Sequence, residues 1–103
     1  MKRSIRLTSG LLVAILATAS LSAYAFTGQN LSKHAKLSLE EARKIALQAF
    51  PGTIVKEELE QEHGGSGYRY SFDIQQGKVT HELGVDANTG TVLENSLEGP
   101  DSD

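Results

Sequence analysis

Residues 68–75, YRYSFDIQ, decide the fold, because large apolar and polar side chains alternate there without a break. A period of two places successive side chains on opposite faces of a β-strand. One face of this segment carries three aromatic rings and an isoleucine, and the other carries side chains that favour water. We therefore predict a strand with one solvated face and one face that a second layer must cover.

Three more segments around this one have strand character. In chain order the four predicted strands are residues 53–62, 68–75, 79–86 and 91–93. The sequence GGSG at 64–67 separates the first two, and we expect a flexible hairpin loop there. Short turns at Gln76-Gly77 and at DANTG, residues 86–90, separate the others. Short connections between neighbouring strands predict an antiparallel meander.

A single helix precedes the strands. Its apolar side chains recur at steps of three and four residues, at Leu39, Ala42, Ile45, Ala46, Ala49 and Phe50. Ser38 and Glu41 have the spacing of a capping box at its start, and Pro51-Gly52 ends it. The fold class is therefore α+β: over residues 37–96, one N-terminal helix packs on a three- to four-stranded antiparallel β-meander.

The segments next to this domain lack such patterns. Residues 26–36 are polar without a sustained period, so we expect a flexible leader. Residues 97–103 are acidic and contain proline, so we expect a disordered tail.

The N-terminal segment has the order of an export signal. Three basic residues precede an apolar run at 11–19, and SAYA follows at 22–25. The small side chain of Ala25 suits cleavage before Phe26, so residues 1–25 form the predicted signal peptide. The run is shorter than the ~20 residues that span a bilayer. We expect a bacterial protein exported to the periplasm or the medium, with no membrane attachment after cleavage.

The amino-acid composition restricts the classes of partner that the protein can bind. Cleavage removes three of the ten basic residues and none of the thirteen acidic ones, so the net charge changes from −3 to −6. An acidic surface argues against nucleic acid and anionic lipid as partners, because both bind to basic patches. The chain has no cysteine, so disulfides and lipoprotein anchoring are excluded. The remaining 78 residues leave room for one small core.

The acidic stretch in the first strand is the candidate binding site for a partner. Glu58, Glu60 and Glu62 stand at alternate positions and share one face of the strand. A solvated face whose charge discourages edge pairing is the plainer interpretation. The edge of the first strand and the exposed sheet face also suit an extended peptide, held by β-augmentation.

No residues have the spacing of a catalytic or metal site. The turn beginning at Asp86 fails the pattern of a calcium loop, because position twelve is Leu97 rather than glutamate. The chain lacks cysteine and the G-x-S-x-G motif of an activated serine. We therefore predict no enzymatic activity, no cofactor and no metal. The alternative hypothesis is an envelope metal-binding protein that uses His63, His81 and nearby glutamates.

Three motifs together resemble the PepSY domain family. They are KLSLEEARKIALQAFPGTIVKEELE at 36–60, GYRYSFDI at 67–74 and VTHELGVDANTGTVL at 79–93. The matching positions are Ser38, Glu41, Ala42, Pro51, Gly52, Tyr68, Tyr70, Val85, Asp86, Ala87, Thr89, Gly90, Val92 and Leu93. The family occurs in propeptides of thermolysin-like metallopeptidases and in small exported proteins. The resemblance implies a non-enzymatic domain that binds, inhibits or regulates a peptidase, here in trans.

Overall fold

A computed structural model of the protein describes residues 26–98. The predicted signal peptide, residues 1–25, and the last five residues of the predicted tail lie outside this range. Within it, no helix combines the length and the apolar character that crossing a bilayer requires.

The helix α1 extends from Leu39 to Ala49 and begins with the predicted capping box. The Glu41 backbone N–H donates to the Ser38 hydroxyl over 3.1 Å, and the Glu41 carboxylate accepts from the Ser38 backbone N–H over 2.8 Å. These two bonds satisfy N–H groups that the first turn of a helix leaves free. On the inner face, Ala42 and Ala46 are fully buried, so small side chains let the helix approach the sheet closely.

The sheet has four antiparallel strands in the order β1-β2-β3-β4, which confirms the predicted α+β meander. Their bounds are β1 Thr53–Gln61, β2 Tyr68–Gln76, β3 Val79–Asp86 and β4 Val92–Leu97. Phe72 in the centre of β2 stands opposite Glu57 in β1 and Leu83 in β3. The meander places each strand beside its neighbour in sequence.

The core lies between α1 and the aromatic face of β2. Phe72, Ile74, Leu83 and Val85 are completely buried, and Tyr70 is 2% exposed. Burying a large apolar side chain contributes about 1.5–3 kcal/mol relative to leaving it in water. The alternation in β2 therefore places its aromatic face in the core, as the sequence predicts.

The segment 26–36 differs from our expectation of a flexible leader. It contains a 3-10 helix, Gln29–His34, and Thr27 forms a parallel bridge with Glu58 of β1. The Leu59 N–H donates to the Thr27 carbonyl over 2.8 Å. We call residues 26–35 the leader. Two of its rings lie on the aromatic row of β2: Phe26 packs on Tyr70, and His34 stacks on Tyr68.

Element lengths explain why the leader is ordered. An α-helix of 11 residues is about 16 Å long. A strand of nine residues such as β2 is about 30 Å long. The aromatic row from Tyr68 to Ile74 is about 20 Å long, so the helix does not cover all of it, and the leader covers the end at Tyr68 and Tyr70. The half-buried Phe26, Leu31 and Ala35 that make this contact have no regular spacing.

The C-terminal end of the domain is also longer than predicted. β4 continues through Leu97, and the Glu98 N–H donates to the Thr80 carbonyl over 2.8 Å. The polar residues 94–96 have little strand propensity of their own. They are extended because the backbone of β3 pairs with them.

The Tyr70 hydroxyl ties the sheet to the chain just before α1, since it donates to the Leu37 carbonyl over 2.7 Å. We expect Tyr70→Phe to lower the free energy of unfolding by about 1 kcal/mol, because the carbonyl loses its donor. Tyr68→Phe is the matched control, since the Tyr68 hydroxyl makes no hydrogen bond within residues 26–98. Urea titration of both variants measures the difference, and equal losses would contradict this role.

Candidate functional site

The sheet face turned away from α1 and the leader has no second layer among residues 26–98. We call it the open face. Strand register places its side chains in rows across the sheet, with Glu58, Ser71 and Gly84 in one row and Lys56, Asp73 and Glu82 in the next. Seven charged side chains lie on it: Lys56, Glu58, Glu60, Arg69, Asp73, Glu82 and Glu94.

The centre of the open face is a shallow groove of about 160 Å³. Its lining residues are Lys56, Glu58, Glu60, Ser71, Asp73 and Glu82. Lys56 Nζ lies 3.3 Å from Glu58 Oε2, and Glu60 accepts a hydrogen bond from the Ser71 hydroxyl. Four carboxylates and one amine thus share the groove, so its net charge is negative.

Crowding of these carboxylates disfavours their ionised forms. Partial burial raises the pKa of Glu60, the Ser71 hydroxyl opposes this, and the charges of Glu62 and Glu58 add to it. Burial likewise raises the pKa of Glu82, and the charge of Glu94 acts in the same direction. A cationic group placed in the groove would relieve this repulsion.

Two of the three glutamates singled out from the sequence line the groove, and the charge of the third, Glu62, still acts on Glu60. Glu58 and Glu60 line the groove, whereas Glu62 lies beyond the end of β1 with its carboxylate 3.8 Å from Arg69 Nε. Sequence reasoning missed Asp73 and Glu82. The alternation in 68–75 and 79–86 already puts both on the polar faces of their strands, but only the register shows that they are neighbours.

Arg69 limits the acidic groove at one end of the open face. Its side chain lies across Gly84, where a Cβ atom would stand 3.2 Å from the guanidinium. The guanidinium donates to the His63 carbonyl over 2.9 Å and lies 3.6 Å from Glu94 Oε1. The acidic surface therefore has a definite boundary.

Asp86 holds two turns together at the same end of the sheet. Its side chain is fully buried. Oδ1 accepts from the backbone N–H groups of Asn88 and Thr89, over 2.8 and 3.0 Å, and Oδ2 accepts from the Ser66 N–H over 2.6 Å. Burial alone would raise the pKa of Asp86, but these three donors outweigh it and lower the pKa to about 2.

The loop GGSG is therefore not the flexible loop that we expected. Besides the bond from Ser66 to Asp86, the Gly67 N–H donates to the Gly64 carbonyl over 3.0 Å. Gly65 has φ +53°, and a Cβ atom there would overlap the Asp86 carboxylate. Glycine is needed at this position because the loop passes directly over a buried anion.

The structure does not bring the two histidines of the alternative metal hypothesis together. His63 lies in the loop before β2, and His81 pairs with Ile74 near the other end of that strand. Six residues of strand separate these ends by about 20 Å. The His81 ring stacks on Phe50, with centroids 3.9 Å apart, and its Nδ1 is 2.8 Å from Asn95 Oδ1. Residues 26–98 contain no group of three or more potential ligands placed to hold a metal ion.

Together, the helix, the four-stranded meander and the Asp86 turn form one small α+β domain. The family model described as peptidase propeptide and YPEB domain, PepSY, matches residues 36–95. That range covers more than half of the chain and includes α1 and nearly all of the sheet, so the protein belongs to the PepSY family. Neither the curated proteins nor the solved structures contain a match to the chain.

The Asp86 bonds predict the effect of Asp86→Asn. Asparagine has one acceptor oxygen, so its amide N–H₂ group would face a backbone N–H at one of the two acceptor positions. We expect the free energy of unfolding at pH 7 to fall by about 2 kcal/mol or more. Asp73→Asn is the control, because it removes a carboxylate of the same sheet that has no backbone donor within residues 26–98.

The pH dependence of the free energy of unfolding provides a second test of the Asp86 bonds. Folding lowers the pKa of Asp86 from 3.8 to about 2, so the stabilisation is complete above about pH 4 and is lost as the pH falls towards 2. The difference in stability between the protein and Asp86→Asn should therefore shrink over this interval. A difference that stays constant from pH 7 to pH 2 would contradict the assignment.

Proposed function

We propose that this protein is an exported, non-enzymatic binding module whose open face binds a basic surface of a protein partner. The partner that the family description favours is a peptidase, met in trans and inhibited or regulated by the contact. The single observation that supports the proposal most is the assembly of Glu58, Glu60, Asp73 and Glu82 in one groove on an uncovered sheet face.

The distribution of ion pairs within the domain supports a basic partner. Lys56 and Arg69 form their ion pairs with Glu58, Glu62 and Glu94. Among residues 26–98, no lysine or arginine forms an ion pair with the remaining carboxylates of the groove, Glu60, Asp73 and Glu82. Lysine or arginine side chains of a partner would supply the missing counter-charges and would steer its approach.

The remaining acidic residue of the first strand has a different role. Arg43 of α1 binds Glu57 through two hydrogen bonds of 2.9 and 2.7 Å on the covered face of the sheet. Glu57 therefore stabilises the contact between helix and sheet. We exclude it from the proposed binding surface, which consists of the open-face carboxylates alone.

Export rests on the sequence of residues 1–25. We expect the protein recovered from the periplasm or the medium of a producing bacterium to begin at Phe26. Intact mass and N-terminal sequencing measure this. Ala25→Arg should block removal of the signal peptide and leave the precursor, because the signal peptidase requires a small residue at this position. Recovery of the full 103-residue chain in the cytoplasm would contradict export.

Measurements of partner binding test whether the open face is the contact surface. A pull-down with the exported protein as bait identifies partners in envelope extracts, and titration against extracytoplasmic metallopeptidases tests the proposed class. We expect Glu60→Gln and Glu82→Gln each to weaken binding by about tenfold. Glu40→Gln is the control, since Glu40 is exposed on α1 and lies away from the open face.

Salt and pH give independent readouts of the same contact. Binding should weaken as ionic strength rises, because screening acts on charges between the two surfaces. It should also weaken as the pH falls from neutral towards acidic values, because Glu60 and Glu82 have raised pKa values and take up protons early. A peptidase complex that is insensitive to salt, or no binding at about micromolar concentration, would contradict the proposal.

A further inference from the structure

The outer edge of β1 is only partly used by the leader. Alternate N–H groups of an edge strand point away from its neighbour. On β1 these belong to Glu57, Leu59 and Gln61, because the Glu62 N–H donates inwards to Gly67 and the Leu59 N–H donates outwards to Thr27. Within residues 26–98, the outward N–H groups of Glu57 and Gln61 have no backbone acceptor.

The leader leaves this edge after a single residue. Gly28 has φ +89°, and the chain turns there into the 3-10 helix. A Cβ atom on Gly28 would overlap the Leu59 carbonyl oxygen, so the turn presses closely against β1. An extended segment that did not turn would follow the edge further and reach more of its N–H groups.

The leader is also held by few buried contacts. The 3-10 helix contains no buried residue, and Phe26 is half-buried against Tyr70 at a centroid distance of 6.3 Å. The family match begins at residue 36, so the leader lies outside it. Segments with few buried contacts open locally at a lower free energy than the core.

We propose that the edge of β1 is a second binding site, which takes an extended peptide and which the leader covers until it is displaced. The peptide pairs parallel to β1 around Leu59, as Thr27 does. It carries an aromatic residue immediately before the pairing residue, and that ring takes the place of Phe26 on Tyr70. This mode of binding is β-augmentation, with the backbone supplying the bonds and the ring supplying the specificity.

The charges beside the edge define the peptide further. Glu57, Glu58 and Glu60 flank the pairing position, and Glu57 is already bound to Arg43. A peptide with basic residues after the aromatic one fits this environment better than an acidic one. Glu58 and Glu60 border both this edge and the groove, whereas Glu82 belongs to the groove alone, so a change at Glu82 separates the two proposals.

The test uses the protein and two glycine variants. Gly28→Ala should release the leader, because the methyl group overlaps the Leu59 carbonyl. Gly67→Ala is the matched control: Gly67 has φ +97°, but a Cβ atom there meets nothing within 4 Å. Amide hydrogen exchange of Leu59 reports the leader directly, and we expect fast exchange in Gly28→Ala only.

The probe is a fluorescent peptide with the sequence of residues 26–36, FTGQNLSKHAK. We expect Gly28→Ala to bind it at least about tenfold more tightly than the protein or Gly67→Ala. A probe with alanine in place of the phenylalanine should bind about tenfold more weakly. Glu82→Gln should leave probe binding unchanged, which separates this site from the open face.

Three results would overturn the proposal. The first is a Leu59 amide that stays protected in Gly28→Ala. The second is a released leader with no probe binding at about 1 mM. The third is a Gly28→Ala protein that dimerises by exchanging leaders, which would make a second copy the occupant. If Gly28→Ala does not fold, Phe26→Ala provides the same test, because it removes the ring contact with Tyr70.

Discussion

Covering the aromatic face of β2 is the constraint on which the rest of the structure depends. The inward side chains of β2 from Tyr68 to Ile74 form a row of about 20 Å, longer than α1, and one helix does not complete the second layer. The helix covers Phe72 and Ile74, and the leader covers the end at Tyr68. The Tyr70 hydroxyl joins the two parts of the layer through the Leu37 carbonyl. A segment with no pattern of its own is ordered for this reason.

The same constraint fixes the opposite face. A slip of one residue would turn every inward ring of β2 towards water, so the register with β1 and β3 is strongly specified. Glu58, Asp73 and Glu82 owe their closeness to this register, although none of them contributes to the core. The proposed binding surface is thus positioned by the apolar residues behind it. Changes in the core are expected to alter partner binding as well as stability.

Local features were predictable from the sequence, and features that join distant residues were not. The capping box at Ser38 and the alternation in β2 involve neighbours in the chain. The sequence predicts a turn at Asp86, which accounts for Oδ1 alone; its Oδ2 accepts from the Ser66 N–H, twenty residues earlier. The order of the leader has the same origin, since Thr27 meets Leu59 only after the sheet exists. The charge cluster of the open face likewise required the register.

The Asp86 carboxylate has a consequence for the rate at which the domain opens. Its acceptors serve the loop before β2 and the turn after β3, so its full set of bonds exists only when two hairpins are already in place. An interaction that forms after the rate-limiting step of folding slows unfolding and hardly changes the folding rate. Rare opening events expose backbone to cleavage. We therefore expect the Asp86 carboxylate to slow unfolding, and with it the cleavage of a small domain that is proposed to meet peptidases.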